Sequence, residues 1–114
     1  MSKKKLLLIP LLVFSSIVWA QSKSSVADML IGRYVVRLII NPDNTYGYEI
    51  NDGNKAIVHQ KNKPYSSSQT GFTQKQNAMV TALWIANQLK EGKKNPDVSD
   101  PKKAKELGIT REDL

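Results

Sequence analysis

Alternation of apolar and polar residues predicts three β-strands in the first half of the chain. Residues 33–40 are rich in β-branched side chains, and every second residue is large and apolar. Residues 45–50 alternate in the same way, and an Asp-Gly turn then leads into residues 55–60. Because short turns connect the three segments, we expect an antiparallel meander. Gly47, inside the second strand, predicts a bulge or a place where another group packs close to the backbone.

The third of these strands has two faces that are both half apolar. Ala56 and Val58 lie on one face, and Ile57 and His59 lie on the other. A shift of one residue in the pairing would exchange the two faces. The pattern therefore leaves open which of them packs on the core.

A repeat close to 3.6 residues predicts one long helix between Thr73 and Gly92. Thr73 and Gln76 have the spacing of a capping box, in which each side chain bonds to the backbone of the other residue. Gly92 follows the last apolar position and is expected to end the helix in a left-handed conformation. The predicted apolar stripe consists of Ala78, Ala82, Ile85, Ala86 and Leu89, with Met79 and Leu83 beside it.

The segments before and after these elements are shorter. Residues 21–31 form a lead-in without a clear period, and Asp100-Pro101 predicts a short helix that ends at Leu107-Gly108. We therefore expect an α+β fold: a three-stranded antiparallel meander with one long helix packed on one face and a short C-terminal helix. The expected division is a β-β-β-α domain in residues 32–92 and a C-terminal helical tail in residues 93–114.

The first 20 residues have the pattern of a cleaved signal peptide. Lysines precede an apolar run at residues 6–18, and Val18 and Ala20 place small residues before the expected cleavage site. The run is shorter than the roughly 20 residues that a membrane-spanning helix needs. The chain also has no cysteine for a lipid anchor. We therefore expect export to the periplasm or the medium, and no transmembrane span in the mature chain.

Composition narrows the function classes for the mature chain. Removing 20 of the 114 residues leaves 94, enough for one small domain. Removing three signal-peptide lysines from the 17 basic residues leaves 14 against 10 acidic ones, a net charge of +4. Basic and acidic residues are interleaved near the C-terminus without stacking aromatics, so we expect no nucleic-acid partner. The lack of cysteine excludes disulfides and thiol chemistry.

Several short motifs follow one another in a fixed order along the chain. They are Tyr46-Gly47-Tyr48, His59-Gln60, Gly71-Phe72, the long helix, and Glu106-Leu107-Gly108-Ile109. In this order the chain resembles a family of small exported Gram-negative envelope proteins known only as a domain of unknown function. The resemblance covers about residues 46–109. It implies a fold and an envelope location, and it supplies no activity.

Catalysis would have to rest on His59, the only histidine, with a serine of residues 66–68 as nucleophile. Such a site needs a carboxylate to orient the base and an oxyanion site beside the nucleophile. The serines lack a Gly-x-Ser-x-Gly elbow, and His59 is explained more simply as a strand-end residue that bonds to the loop backbone. One histidine and scattered acids make no metal cluster. We therefore predict a non-enzymatic protein without a cofactor.

The start of the long helix is a candidate anion site. Free backbone N–H groups and the positive end of the helix dipole coincide there. Cationic and hydroxyl side chains lie close to this point in the sequence, namely Lys61, Lys63, Ser68, Thr73 and Lys75. A glycan, phosphate or carboxylate is the predicted ligand. The simpler alternative is a capped helix end with solvated lysines.

Large apolar residues lie in two places that the core does not require. Val80 and Trp84 are one turn apart on the back of the helix, where either they face a partner or the short C-terminal helix covers Trp84. On the sheet, Val35, Ile39 and Ile57 point away from the helix, unless the lead-in covers them. We therefore predict an accessory or protein-interaction module of the cell envelope. Its partner would be an envelope protein or a second copy of the chain, and anionic-ligand binding is the alternative function.

Overall fold

The computed structural model describes residues 28–114. The predicted signal peptide and residues 21–27 of the lead-in lie outside the described residues. The described part has an α+β fold in which one antiparallel sheet packs on a long helix. The strands are β1 (Met29–Ile31), β2 (Tyr34–Ile40), β3 (Tyr46–Asp52) and β4 (Lys55–Gln60). The helices are α1 (Lys75–Lys90) and α2 (Pro101–Glu106), and a 3-10 turn follows at Arg111–Asp113.

The sheet has four strands in the order β1-β2-β3-β4, so the prediction of three strands was wrong. The additional strand, β1, pairs antiparallel with β2 and places Met29 opposite Val36. Gly32 has a φ of 63°, which allows the tight turn between the two strands. β1 is only three residues long, and such a short segment cannot show an alternating pattern.

The core lies between one face of the sheet and α1. Val36 and Ile50 are fully buried at the centre of this face. The buried apolar residues of α1 are Ala78, Ala82, Ile85 and Ala86, all of which belong to the predicted stripe. Because three of these four side chains are alanines, the helix backbone can approach the sheet closely.

A bulge in β4 resolves which of its residues face the core. Val58 pairs with Ile50 on the buried face, whereas Ala56 pairs with Asn51 on the opposite face. The register shifts between these two pairs, so Ile57 is an extra residue in the strand. The sequence left open whether Ala56 and Val58 or Ile57 and His59 pack on the core. Val58 does so and Ala56 does not, so neither alternative is correct along the whole strand.

The start of α1 differs from the prediction, whereas its end agrees with it. The side chain of Gln74, the N-cap residue, makes no capping hydrogen bond, and the Thr73 hydroxyl bonds to Asp113 instead, so the predicted capping box was wrong. At the other end Gly92 has a φ of 89° and donates to the Leu89 carbonyl at 2.9 Å. Lys93 donates to the Gln88 carbonyl at 3.0 Å, which completes a Schellman motif.

The short C-terminal helix, α2, is confirmed. The Asp100 carboxylate accepts a hydrogen bond from the Lys102 backbone N–H at 2.9 Å, and Pro101 is the first helical residue. Gly108 has a φ of 86° and ends the helix as predicted. Ile109 is buried after this turn, and the chain then returns to the start of α1. Neither α1 nor α2 is long and apolar enough to cross a membrane.

Candidate functional site

The start of α1 is held by a carboxylate from the far end of the chain. Asp113 is fully buried. Its Oδ1 accepts hydrogen bonds from the Thr73 backbone N–H at 2.7 Å and from the Thr73 hydroxyl at 2.9 Å. Its Oδ2 accepts from the Gln74 backbone N–H at 3.1 Å. A residue 40 positions away therefore supplies the negative charge that the positive end of a helix favours.

Asn77 connects this carboxylate to the rest of the C-terminal turn. It is buried on α1, and its side-chain amide donates to Asp113 Oδ2 at 2.7 Å and to Thr110 Oγ1 at 2.9 Å. Its side-chain oxygen accepts from the Thr110 backbone N–H at 3.2 Å. The buried amide group is thus fully hydrogen-bonded, as its burial requires.

Tyr65 fastens the loop before α1 to the same turn. Its hydroxyl donates to the main-chain carbonyl of Asp113 at 2.5 Å, and its ring packs edge-on against Phe72 with 6.0 Å between ring centroids. Phe72 is fully buried, and it exchanges two backbone hydrogen bonds of 2.8 Å with Tyr46. Loop, sheet, helix start and C-terminal turn therefore meet at one point. We call Tyr65, Thr73, Asn77, Thr110 and Asp113 the Asp113 network.

The hydrogen bonds of the network keep Asp113 ionised. Burial alone would raise the pKa of the Asp113 carboxyl, but the hydrogen bonds from Asn77, Thr73 and Gln74 outweigh it and hold this pKa below its ordinary value. Burial, together with the negative charge of Asp113, raises the pKa of Tyr65 to about 12. At neutral pH both groups therefore have the protonation states that their hydrogen bonds require.

We expect Tyr65→Phe to lower the free energy of unfolding by about 1 kcal/mol. The substitution removes the hydrogen bond to the Asp113 carbonyl and keeps the ring contact with Phe72. Urea unfolding followed by circular dichroism measures the loss. Tyr46→Phe is the matched control, because Tyr46 is also half-buried and its hydroxyl makes no hydrogen bond within residues 28–114. Equal losses in the two variants would contradict the role of the Tyr65 hydroxyl.

The residues predicted to bind an anion are spread over the loop and the helix start. Thr73 already donates to the internal carboxylate. The Ser68 hydroxyl shares hydrogen bonds of 2.9 and 3.0 Å with two neighbouring hydroxyls. Lys61 and Lys75 are exposed, and Lys63 is half-buried. Because Asp113 occupies donors that an external anion would need, the geometry does not favour this site, and anion binding stays a prediction.

Val80 and Trp84, the predicted interaction patch, are half-buried. Lys103 of α2 places its ammonium group 4.8 Å from the centroid of the Trp84 ring, in a cation–π contact. The same ammonium group lies 3.0 Å from the Glu106 carboxylate. The short C-terminal helix therefore covers part of Trp84, which is the alternative that the sequence left open. A partner contact at this patch stays a prediction.

The face of the sheet opposite α1 carries apolar side chains that no helix of the described part covers. Leu30 is 72% exposed and Ile57 is 39% exposed, while Val35 and Ile39 are half-buried. The described end of the lead-in does not cover this face, because β1 lies beside β2 and pairs Leu30 with Val35. We call this surface the open face. Its members are Leu30, Val35, Arg37, Ile39, Glu49, Ile57 and His59.

A row of charged residues crosses the open face from one edge to the other. The register places Arg37 opposite Glu49, and Glu49 opposite His59. Asp28, next to β1, accepts hydrogen bonds of 3.0 and 3.2 Å from the Arg37 guanidinium group. His59 Nδ1 lies 3.9 Å from Glu49 Oε1. Across the sheet the charges are therefore negative at Asp28, positive at Arg37, negative at Glu49 and, when His59 is protonated, positive at His59. We call these four residues the charged row.

His59 and the serine run take part in different contacts. His59 is exposed on the open face beside Glu49. Ser66 and Ser68 share a hydrogen bond of 2.9 Å between their hydroxyl groups in the loop. The observed contacts of His59 are therefore those of a surface residue on a strand.

The Asp113 network contains residues that the sequence interpretation did not single out. Asp113 lies in a polar chain end without periodicity, so no local pattern marks it. Tyr65 lies in a loop, where an aromatic residue among polar ones was the available signal. Asn77 carried the clearest signal, because it is a polar residue next to Ala78 at the edge of the apolar stripe.

Comparison with known proteins identifies the family of the chain. Residues 38–103 match the family model described as a domain of unknown function, DUF4907. The match spans more than half of the chain, so the chain belongs to this family. No curated protein and no solved structure gave a match. The matched residues include Thr73 and Asn77, whereas Asp113 lies beyond them.

Proposed function

We propose that this member of the DUF4907 family is an exported, non-enzymatic accessory module of the cell envelope that binds a protein partner through its open face. The observation that carries the proposal is the exposure of Leu30 and Ile57 on a sheet face that no helix of residues 28–114 covers. A domain this small needs most of its large apolar residues in its core. Apolar residues that gather on the surface instead are typical of protein-interaction sites.

The open face also has the polar groups that give an interface its specificity. Arg37 and Glu49 lie at the centre of the charged row, between the exposed apolar residues. Charges in such a position select partners by complementarity and set the orientation of docking. Apolar contact area and a defined charge pattern together support a specific protein partner rather than a lipid surface.

Export is supported by the sequence of residues 1–20. The lysines, the short apolar run and the small residues before Gln21 form the pattern of a signal peptide. An exported protein with a sheet face that no helix of residues 28–114 covers would meet its partner among envelope proteins.

The non-enzymatic part of the proposal is supported by the structural role of the buried carboxylate. Asp113 is the buried carboxylate of the described part, and its oxygens accept hydrogen bonds from Thr73, Gln74 and Asn77. A carboxylate that is saturated with donors stabilises the fold and is not free to act as a base. The exposed His59 lies beside Glu49 on the open face.

Site-specific photo-crosslinking in exporting cells tests the proposal. A photoreactive amino acid is placed at position 57 on the open face, at position 84 on the helix, and at position 76, an exposed position of α1, as the control. We expect protein adducts from position 57 and none from position 76. Adducts from position 84 in place of position 57 would move the docking surface to the predicted patch. Absence of adducts at both positions would overturn the proposal.

A substitution distinguishes docking from chance proximity. Leu30→Glu places a charge on the most exposed apolar residue of the open face, so we expect at least a tenfold lower adduct yield from position 57. Asn87→Glu, on an exposed part of α1, is the matched control for the added charge and should leave the yield unchanged.

A further inference from the structure

We infer that the partner on the open face is a second copy of this chain, bound face to face about a two-fold axis that runs close to the strand direction. This inference rests on the proposed function, because it names the occupant of the same surface. It is carried by the order of signs along the charged row.

The charged row is complementary to its own reversed copy. Its order is Asp28, Arg37, Glu49 and His59 across the four neighbouring strands. A two-fold axis parallel to the strands reverses this order in the second copy. Arg37 then faces Glu49 of the other copy, and Asp28 faces His59. Every contact along the row therefore joins opposite signs when His59 is protonated, and both central contacts do so in any case.

The alternative two-fold axis, which runs along the row, gives the opposite result. Arg37 would face Arg37 of the other copy, and Glu49 would face Glu49. Like charges that face each other across an interface oppose association. The charged row therefore selects one of the two axes, and that axis also brings Leu30 of one copy over the strand of the other that carries Ile57.

The size of the open face predicts a weak dimer. Four strands about 4.8 Å apart and a strand length of roughly 20 Å give a footprint of at most about 400 Å² for each copy. Two such footprints lie below the roughly 1,200 Å² of total buried area at which stable interfaces begin. The facing sheets would lie about 10 Å apart, a separation that the side chains of Arg37 and Glu49 can bridge.

Charge exchange between two variants tests the inference with purified protein. In Arg37→Glu, the introduced carboxylate faces Glu49 of the other copy, and in Glu49→Arg, the introduced guanidinium group faces Arg37 of the other copy. We expect each variant alone to dimerise at least tenfold more weakly than the wild type. Sedimentation equilibrium from about 10 µM to about 1 mM covers the range that an interface of this size requires.

A mixture of the two variants should restore association. In the mixed dimer one chain contributes two negative charges and the other contributes two positive charges at the central positions, so opposite signs meet again. We expect the mixed dimer to form within about threefold of the wild-type affinity, and to weaken as salt is added. Native mass spectrometry of the two chains, one isotope-labelled, counts mixed and self pairs. Because the same two chains are measured alone and together, a folding defect in either chain cannot produce the recovery.

The outcomes separate this inference from the proposed function. A wild-type chain that is monomeric at about 1 mM, or a mixture that is no more associated than its separate variants, would overturn the inference. If position 57 then still gives adducts with another protein in cells, the proposed function stands with a foreign partner. If position 57 gives no adduct at all, both fail.

Discussion

Replacement of Asp113 by alanine is expected to lower the free energy of unfolding by about 3 kcal/mol, through loss of the helix cap and of the charge-assisted hydrogen bonds to it. The buried Asn77 amide loses an acceptor, and the backbone N–H groups of Thr73 and Gln74 lose theirs. For a domain of this size the change corresponds to a decrease of roughly 15 °C in the melting temperature. Thermal and urea unfolding followed by circular dichroism measure both quantities.

Acid dependence identifies the charge of Asp113 as the cause. The pKa of the Asp113 carboxyl is lower in the folded protein than the ordinary value of about 3.9 in an unfolded chain. Its contribution to stability is therefore complete above about pH 4 and is lost as the pH falls through the folded pKa. Asp113→Asn keeps the shape of the side chain and removes this titration. The difference in stability between wild type and Asp113→Asn should accordingly shrink below about pH 4.

Glu112→Ala is the matched control for the Asp113 variants. Glu112 is the preceding residue in the same turn, it carries the same charge, and its side chain is exposed. We expect this substitution to change the free energy of unfolding by less than about 0.5 kcal/mol. An Asp113→Asn protein that is as stable as the wild type at pH 7 would show that the carboxylate does not hold the start of α1.

Regular elements with a long repeat could be predicted from the sequence. The stripe of α1, from Ala78 to Leu89, extends over about three turns, so Ala78, Ala82, Ile85 and Ala86 were assigned correctly from their spacing. The same holds for the ends of the helices where glycine takes a left-handed conformation, as Gly92 does. These features depend on residues that are near one another in the chain.

The remaining features depend on contacts between distant residues. The carboxylate that accepts hydrogen bonds at the start of α1 belongs to Asp113. Nothing at Thr73 or Gln76 in the sequence indicates that Thr73 bonds to Asp113 instead of forming the predicted capping box. The bulge at Ile57 changes which side of β4 is buried, and only the pairing with β3 determines it. The candidate docking surface depends on register in the same way, because Arg37 and Glu49 become neighbours only when β2 and β3 are aligned.

Gly47→Ala is the second substitution with a large expected effect, a loss of about 3 kcal/mol in the free energy of unfolding, at the upper end of overpacking effects. Gly47 lies in β3 at the point where β4 leaves the sheet. A Cβ atom on Gly47 would lie 2.8 Å from both the Cα and the carbonyl oxygen of Lys61, closer than Cβ atoms in proteins approach backbone. Because the obstacle is main chain, no side-chain rotation can relieve it. Urea unfolding measures the loss.

Gly53→Ala is the informative comparison, because Gly53 is the glycine that turn chemistry singles out. Its φ of 64° disfavours a side chain, but nothing lies within 4 Å of the position that a Cβ would occupy. We therefore expect a loss of only about 1 kcal/mol there, from backbone strain alone. Gly47 should thus be more sensitive to substitution by alanine than Gly53. This is the case although a strand interior does not need the backbone freedom of glycine. If Gly53→Ala lowers the free energy of unfolding more than Gly47→Ala does, the explanation for Gly47 is wrong. The close packing of the Lys61 backbone on Gly47 would then not be the reason for a glycine at position 47.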